Sequence, residues 1–80
     1  MTLMVEKAAQ QTTELLIVKV GDDYIRFAEG DFRRCGMNKA SVFPLAELEE
    51  VQAKCRKMLI SVSFVRLMKL TIIEETFMEL

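Results

Sequence analysis

Residues 15–35, LLIVKVGDDYIRFAEGDFRRC, decide the fold, because they contain three short strand patterns in a row. The run 15–20 is rich in β-branched residues and mostly apolar on both faces, which is typical of a strand inside a sheet. Residues 24–28 alternate between two faces, as a strand with one buried face does. Residues 31–35 are mostly polar and charged, and such a strand suits the edge of a sheet. The stretch therefore predicts an antiparallel meander.

The turns between these strands carry signals of their own. Gly and Asp at 21–23 tolerate a positive φ, and Glu29-Gly30 is typical of a two-residue hairpin. The aspartates of this region are too few to hold a hard cation, which takes about six or more oxygen ligands. We therefore interpret Asp22, Asp23 and Asp31 as turn residues.

Residues 44–60 predict the main helix. Pro44 fits the first helical position. Acidic residues fill the first turns and basic residues the last, which complements the helix dipole. One face is apolar, because apolar residues recur at steps of three and four. These residues are Leu45, Leu48, Val51, Cys55, Met58 and Leu59.

The chain beyond the helix supplies one more strand, predicted at residues 67–73. Residues 61–66 either extend the helix or form a connection that seats Phe64. The predicted fold class is α+β: a small single domain of ββ(β)αβ order, with a three- or four-stranded sheet and one main helix on one face. The two apolar strands favour the spatial order third, second, first, fourth.

A chain of 80 residues has room for one domain with a small core. We interpret residues 1–13 as a loose leader, residues 14–75 as a single α+β domain and residues 76–80 as a tail. Residues 58–73 form the most apolar segment, but it is too short and too charged to span a bilayer. Because residues 1–13 carry no signal-peptide pattern, we expect a cytoplasmic protein.

The composition excludes several chemistries. The chain has no His, so Ser-His-Asp and Cys-His mechanisms cannot be built within it. Its two cysteines supply half of a structural zinc site. We predict no enzymatic activity, no metal and no cofactor. Cys35 and Cys55 are expected to be buried or half-buried thiols, with an oxidised pair as the alternative if the helix packs over the third strand.

The apolar content predicts self-association. Hydrophobic residues make up 51% of the chain, and six are Met. A single helix shields one face of a sheet at most, so the other face would keep apolar side chains from the first and last strands. We expect a non-enzymatic interaction or accessory module that forms a homodimer through an apolar sheet face or a strand edge, with a further, unidentified protein partner as an open alternative.

A basic and aromatic hairpin carries the alternative, a weak single-stranded nucleic-acid binder. Arginines beside aromatic rings can contact phosphates and stack on bases. The net charge of −1 gives little general attraction to nucleic acid, and Arg33 and Arg34 point to opposite faces of their strand. The candidate residues are Tyr24, Arg26, Phe32, Arg33, Arg34 and Lys39.

The order of these pieces resembles a class of very small, mostly uncharacterised bacterial and phage proteins. In that class an apolar strand leads through a Gly turn to a Tyr-bearing hairpin, then to an Ala-x-x-Phe step, an acidic-start helix and a strand ending in Glu. The resemblance implies a strand–hairpin–helix–strand fold and assigns no functional residue. The matching pieces are Ile17-Val18-Lys19-Val20, Gly21, Tyr24, Ala40-Ser41-Val42-Phe43, Glu49-Glu50-Val51 and Leu70-Thr71-Ile72-Ile73-Glu74.

Overall fold

The strand rich in β-branched residues runs through the middle of an antiparallel sheet. The computed structural model describes residues 10–80, and in this part of the chain five strands and one main helix form. The α+β class and the order of strands, helix and strand are as predicted. The elements are β1 (Gln10–Val20), β2 (Asp23–Ala28), β3 (Asp31–Cys35), β4 (Val42–Pro44), α1 (Leu48–Met58) and β5 (Arg66–Glu75), with single 3₁₀ turns at Met37–Lys39 and Leu45–Glu47.

The strand β1 has neighbours along both edges. The final strand β5 pairs with it from Gln10 to Lys19 and so takes one whole edge. The other edge is shared, because β4 pairs with residues 15–17 of β1 and β2 pairs with Lys19 and Val20. The strand β3 pairs with β2 alone. The predicted spatial order is therefore confirmed, with β5 as the fourth predicted strand.

Both predicted turns form as two-residue hairpins. Glu29 and Gly30 join β2 to β3 with φ of 52° and 77°, and Gly21 takes φ 61° between β1 and β2. Positive φ at both Glu29 and Gly30 is the type I′ arrangement, whose twist matches that of the flanking strands, whereas in the first turn only Gly21 has a positive φ. Gly21 and Gly30 therefore lie where the two turns require a positive φ.

The region before the helix differs from the prediction. Pro44 is the last residue of β4, not the first of a helix, and α1 runs from Leu48 to Met58 rather than over 44–60. The short strand β4 was not expected. It forms because Phe43 lies opposite Leu16, which brings an aromatic ring onto the apolar face of β1.

The start of β1 also differs, because the strand begins at Gln10. Residues 10–13, interpreted as part of a loose leader, therefore pair with β5. The rest of that interpretation, residues 1–9, lies outside the described residues. Residues 76–80 follow β5 outside any helix or strand, and Phe77 is exposed.

The core lies between one face of the sheet and α1. Only part of the predicted apolar face of the helix is buried, since Val51 and Met58 are buried, Cys55 is half-buried, and Leu45, Leu48 and Leu59 are exposed. The sheet contributes alternate residues of β1 together with Ile25 of β2. The buried cluster is Leu16, Val18, Val20, Ile25, Val51 and Met58.

Residues 59–65 form a connection and do not extend the helix. The amides of Ser61 and Val62 donate to the Met58 carbonyl, both at 2.9 Å, and close the end of α1. Val62 and Val65 pack against the core, while Phe64 is exposed. The expectation that this connection seats Phe64 was therefore wrong; the two valines anchor it instead.

Candidate interaction surface

The face of the sheet opposite α1, called the open face below, carries an apolar stripe. Residues directly opposite each other in an antiparallel sheet point to the same side, so the strand register defines this face. Because Leu16 and Val18 contact the helix side, their neighbours Leu15 and Ile17 point to the open face. The register adds five apolar residues to them, which are Val42, Pro44, Met68, Leu70 and Ile72.

Ile17 lies at the centre of the stripe. It is 2% exposed, yet it is not part of the cluster beneath α1. Its cross-strand neighbours Val42 and Met68 stay 44% and 37% exposed, and Ile72 further along β5 is 38% exposed. The stripe is therefore an apolar surface that no element among residues 10–80 covers fully.

Charged residues lie at both ends of this stripe. At one end Lys19 is directly opposite Arg66, and at the other Gln11 is opposite Glu74. The Lys19 ammonium is 4.7 Å from the ring centre of Tyr24, and the Arg66 guanidinium is 5.8 Å from that of Phe64. These contacts hold the two cations over aromatic rings at the basic end.

The outer edge of β5 is the second uncovered feature. Among the described residues no strand pairs with this edge, although β5 is ten residues long. An unpaired edge presents backbone N–H and C=O groups that can template another strand. Lys69 is the charged residue inside this strand, and its ammonium lies 3.6 Å from the Glu14 carboxylate on the helix side. The edge therefore combines free backbone groups with mostly apolar side chains.

The structure brings together four of the six nucleic-acid candidates. Arg26 and Arg33 lie directly opposite each other on the open face, and Tyr24 is on the same side of β2. Arg26 Nη1 donates a hydrogen bond to the carbonyl of Lys39 at 3.2 Å. A groove of about 480 Å³ runs beside them, lined by Arg26, Arg33, Arg34, Cys35, Gly36, Asn38 and Lys39.

The other two candidates lie on the helix side of the sheet. Arg34 is opposite Ile25, and its guanidinium is 3.3 Å from the Asp23 carboxylate. Phe32 is opposite Phe27, and both pack against the core. The opposite orientation of Arg33 and Arg34, predicted from alternation, is confirmed. A six-residue basic and aromatic surface therefore does not form.

The turn aspartates have local partners. Asp23 pairs with Arg34, and Asp31 Oδ1 accepts a hydrogen bond from the amide of Phe32 at 2.8 Å. Within residues 10–80 no group of three or more acidic or Cys side chains has the arrangement of a metal site. Of the three aspartates interpreted as turn residues, only Asp22 lies in a turn, because Asp23 and Asp31 are the first residues of β2 and β3.

The two cysteines are free and lie on opposite sides of the sheet. Cys35 is opposite Tyr24 on the open face, whereas Cys55 packs against the core from α1. The alternative of an oxidised pair within the chain was therefore wrong. Burial raises the pKa of the Cys55 thiol, because the charged thiolate loses hydration there.

A second groove, of about 410 Å³, lies on the helix side between the β2–β3 hairpin and the end of α1. Its apolar floor is made by Phe27, Phe32 and Met58, and the Lys54 ammonium is 5.5 Å from the centre of the Phe27 ring. Lys54 and Lys57 line the groove on the helix side, and Glu29 and Asp31 line it on the hairpin side. This groove is a gap between two elements of the core.

Comparison with known proteins gives this surface no precedent. The sequence matches no protein-family model and no curated protein, and the structure matches no solved structure. The resemblance to small bacterial and phage proteins therefore stays a prediction. In the described part of the chain, no helix has the length and apolar character needed to cross a membrane.

Proposed function

We propose that this protein is a non-enzymatic interaction module that self-associates through the part of the sheet that α1 leaves uncovered. The observation that carries the proposal is the position of its only long helix in residues 10–80. It packs against one face, while the apolar stripe of the open face and the outer edge of β5 stay accessible. A second copy of the chain is the partner, because homo-oligomers with two-fold symmetry are the commonest assemblies. The two free thiols fit the reducing cytoplasm that we expect for it.

Solution mass as a function of concentration tests this proposal. Sedimentation velocity should show a monomer in dilute solution and a dimer at high concentration, with only a weak dependence on salt, because most of the contacts are apolar and are not screened. A strict monomer at every concentration would contradict the proposal.

A matched pair of substitutions locates the contact. Ile72→Lys places a charge on the uncovered side of the sheet and should weaken dimerisation by at least roughly tenfold. Ile60→Lys is the control, because Ile60 is 86% exposed and follows the end of α1. Equal dissociation constants for the two variants would place the contact elsewhere.

One arrangement favours a second candidate, single-stranded nucleic-acid binding. Arg26 and Arg33 lie side by side next to Tyr24, and like charges directly opposite each other in a sheet are destabilising unless an anion compensates them. Retention on single-stranded DNA or RNA that falls steeply with salt would support this candidate. Arg26→Ala combined with Arg33→Ala should then abolish the retention, while the Arg34→Ala control keeps most of it.

A further inference from the structure

We infer that two copies of this chain join through the outer edges of their β5 strands, antiparallel, with the two-fold axis at Leu70. This inference rests on the proposed self-association and adds the contact and its register. The strand β5 contributes its whole length, Arg66–Glu75, and the two sheets become one continuous sheet.

Symmetry restricts the registers that the two strands can adopt. Antiparallel pairing of identical edges needs a two-fold axis perpendicular to the sheet. Such an axis keeps each face of one sheet continuous with the same face of the other. Side chains alternate between the two faces of the sheet along a strand. Two residues that lie opposite each other across the contact must point to the same face, so their numbers differ by an even amount. The axis therefore passes through the residue midway between them. The central part of β5 offers three such residues, Lys69, Leu70 and Thr71.

The register centred on Leu70 places a compatible side chain of the second copy opposite each residue from 66 to 74. Leu70 faces Leu70 of the second copy, Met68 faces Ile72, Leu67 faces Ile73 and Lys69 faces Thr71. At each end, Arg66 of one copy faces Glu74 of the other. Apolar and opposite-charge pairs across strands both stabilise a sheet, and in this register each pair occurs twice except Leu70–Leu70, which lies on the axis.

The two neighbouring registers place charges against unsuitable partners. An axis at Lys69 brings two ammonium groups face to face and sets Arg66 against Ile72. An axis at Thr71 sets Met68 against Glu74, and Leu67 against Glu75. Like charges directly opposite, or a carboxylate against an apolar side chain, destabilise the pairing. The charged ends of β5 therefore select one register from the three.

The exposed side chains of β5 agree with this arrangement. Ile73 is 57% exposed on the helix side, where the Leu70 register gives it Leu67 of the second copy as a neighbour. Ile72 gains Met68 of the second copy on the open face. Pairing along this edge therefore covers apolar residues on both faces and satisfies the free backbone groups of β5.

Disulfide trapping tests the register. Leu70→Cys, in a Cys35→Ser, Cys55→Ala background that still unfolds cooperatively, should form a covalent dimer under mild oxidation. Opposite Cα atoms in an antiparallel pair lie about 4.5–5.5 Å apart, within the range of a disulfide. Met68→Cys is the matched control, since the two Met68 positions are separated by about four residues along the strand, roughly 13 Å, and should not cross-link.

Charge exchange tests the same register without a cross-link. Arg66→Glu and Glu74→Arg should each weaken dimerisation roughly tenfold, because each places two like-charge pairs at the contact. The double variant should return to within roughly threefold of the original affinity. A dimer that shows neither the Leu70 cross-link nor the charge rescue overturns the register and leaves the proposed self-association standing. A strict monomer overturns both.

Discussion

Glu29 holds a backbone conformation that its side chain disfavours. It is the one residue other than Gly with a positive φ among residues 10–80, and it stands where a type I′ turn prefers Asn. Glu29→Asn should raise the free energy of unfolding by about 0.5–1 kcal/mol, because Asn tolerates the left-handed region better. The midpoint of urea unfolding would measure this gain.

The control for that change is Glu29→Ala. Alanine keeps the Cβ that conflicts with a positive φ, so it should leave the urea midpoint almost unchanged. A gain of equal size in the Ala variant would assign the effect to the lost carboxylate and not to the backbone.

Burial of the Cys55 thiol should lower the stability of the fold at alkaline pH. Its pKa is raised in the folded state by burial. Above about pH 8.5 the thiol ionises in the unfolded chain but stays protonated in the folded one, so the unfolded state binds fewer protons. The free energy of unfolding should therefore fall as the pH rises through this range and level off above the raised pKa. Below pH 8 the thiol adds no pH dependence.

Unfolding of the wild type and of Cys55→Ala measured against pH checks this. The substitution should remove part of the alkaline slope. The same slope in the wild type and in Cys55→Ala would show that other groups cause the alkaline loss.

At the scale of the elements, α1 is held by a narrow buried strip. Met58 is fully buried at the end of the helix, where it also accepts the capping hydrogen bonds of residues 61 and 62. Met58→Ala should lower the free energy of unfolding by roughly 2–5 kcal/mol through the cavity that it leaves. Ile60→Ala, two residues further on and exposed, should stay within about 0.5 kcal/mol of the wild type. Urea unfolding in dilute solution measures both.

The meander was predictable because its information is local. Gly21 and Gly30 permit the positive φ that their turns require, and alternation in β2 and β3 separates Arg33 from Arg34. The final strand was predictable from its apolar pattern, although β5 extends beyond it to Glu75. These features require no knowledge of distant contacts.

The region 42–48 was not predictable in the same way. The strand β4 is three residues long and forms only because Phe43 pairs with Leu16, far away in the sequence. Pro44 is compatible with both the start of a helix and the end of a strand, and the residues after it favour neither. The apolar periodicity from Leu45 onwards predicts a wider buried helix face than the structure has, because Leu45, Leu48 and Leu59 stay exposed.

The candidate surface was partly readable from the sequence. Alternation predicts that Leu15 and Ile17 share a face, but the register that brings Val42 and Met68 beside them is a tertiary contact. The signal that was available is the pattern of β5 itself, an apolar strand with a basic start and an acidic end.

At the scale of the whole molecule, the sheet formed by residues 10–80 ends in two outer strands of different character, β3 and β5. The edge at β3 is short and charged, and both properties discourage pairing with another strand. The edge at β5 is long and mostly apolar. The proposed contact uses the second edge and leaves the first free. The two edges of one molecule therefore serve as test and control.

Amide hydrogen exchange at two protein concentrations should distinguish these edges. In dilute solution the outward amides of both β3 and β5 should exchange quickly, because the described fold gives them no strand partner. At high concentration the amides of β5 that point outward should become protected at alternate residues, while those of β3 keep their rate. Protection that rises equally at both edges, or at neither, would contradict pairing through β5, because an antiparallel contact orders one strand edge and leaves the opposite end of the sheet unchanged.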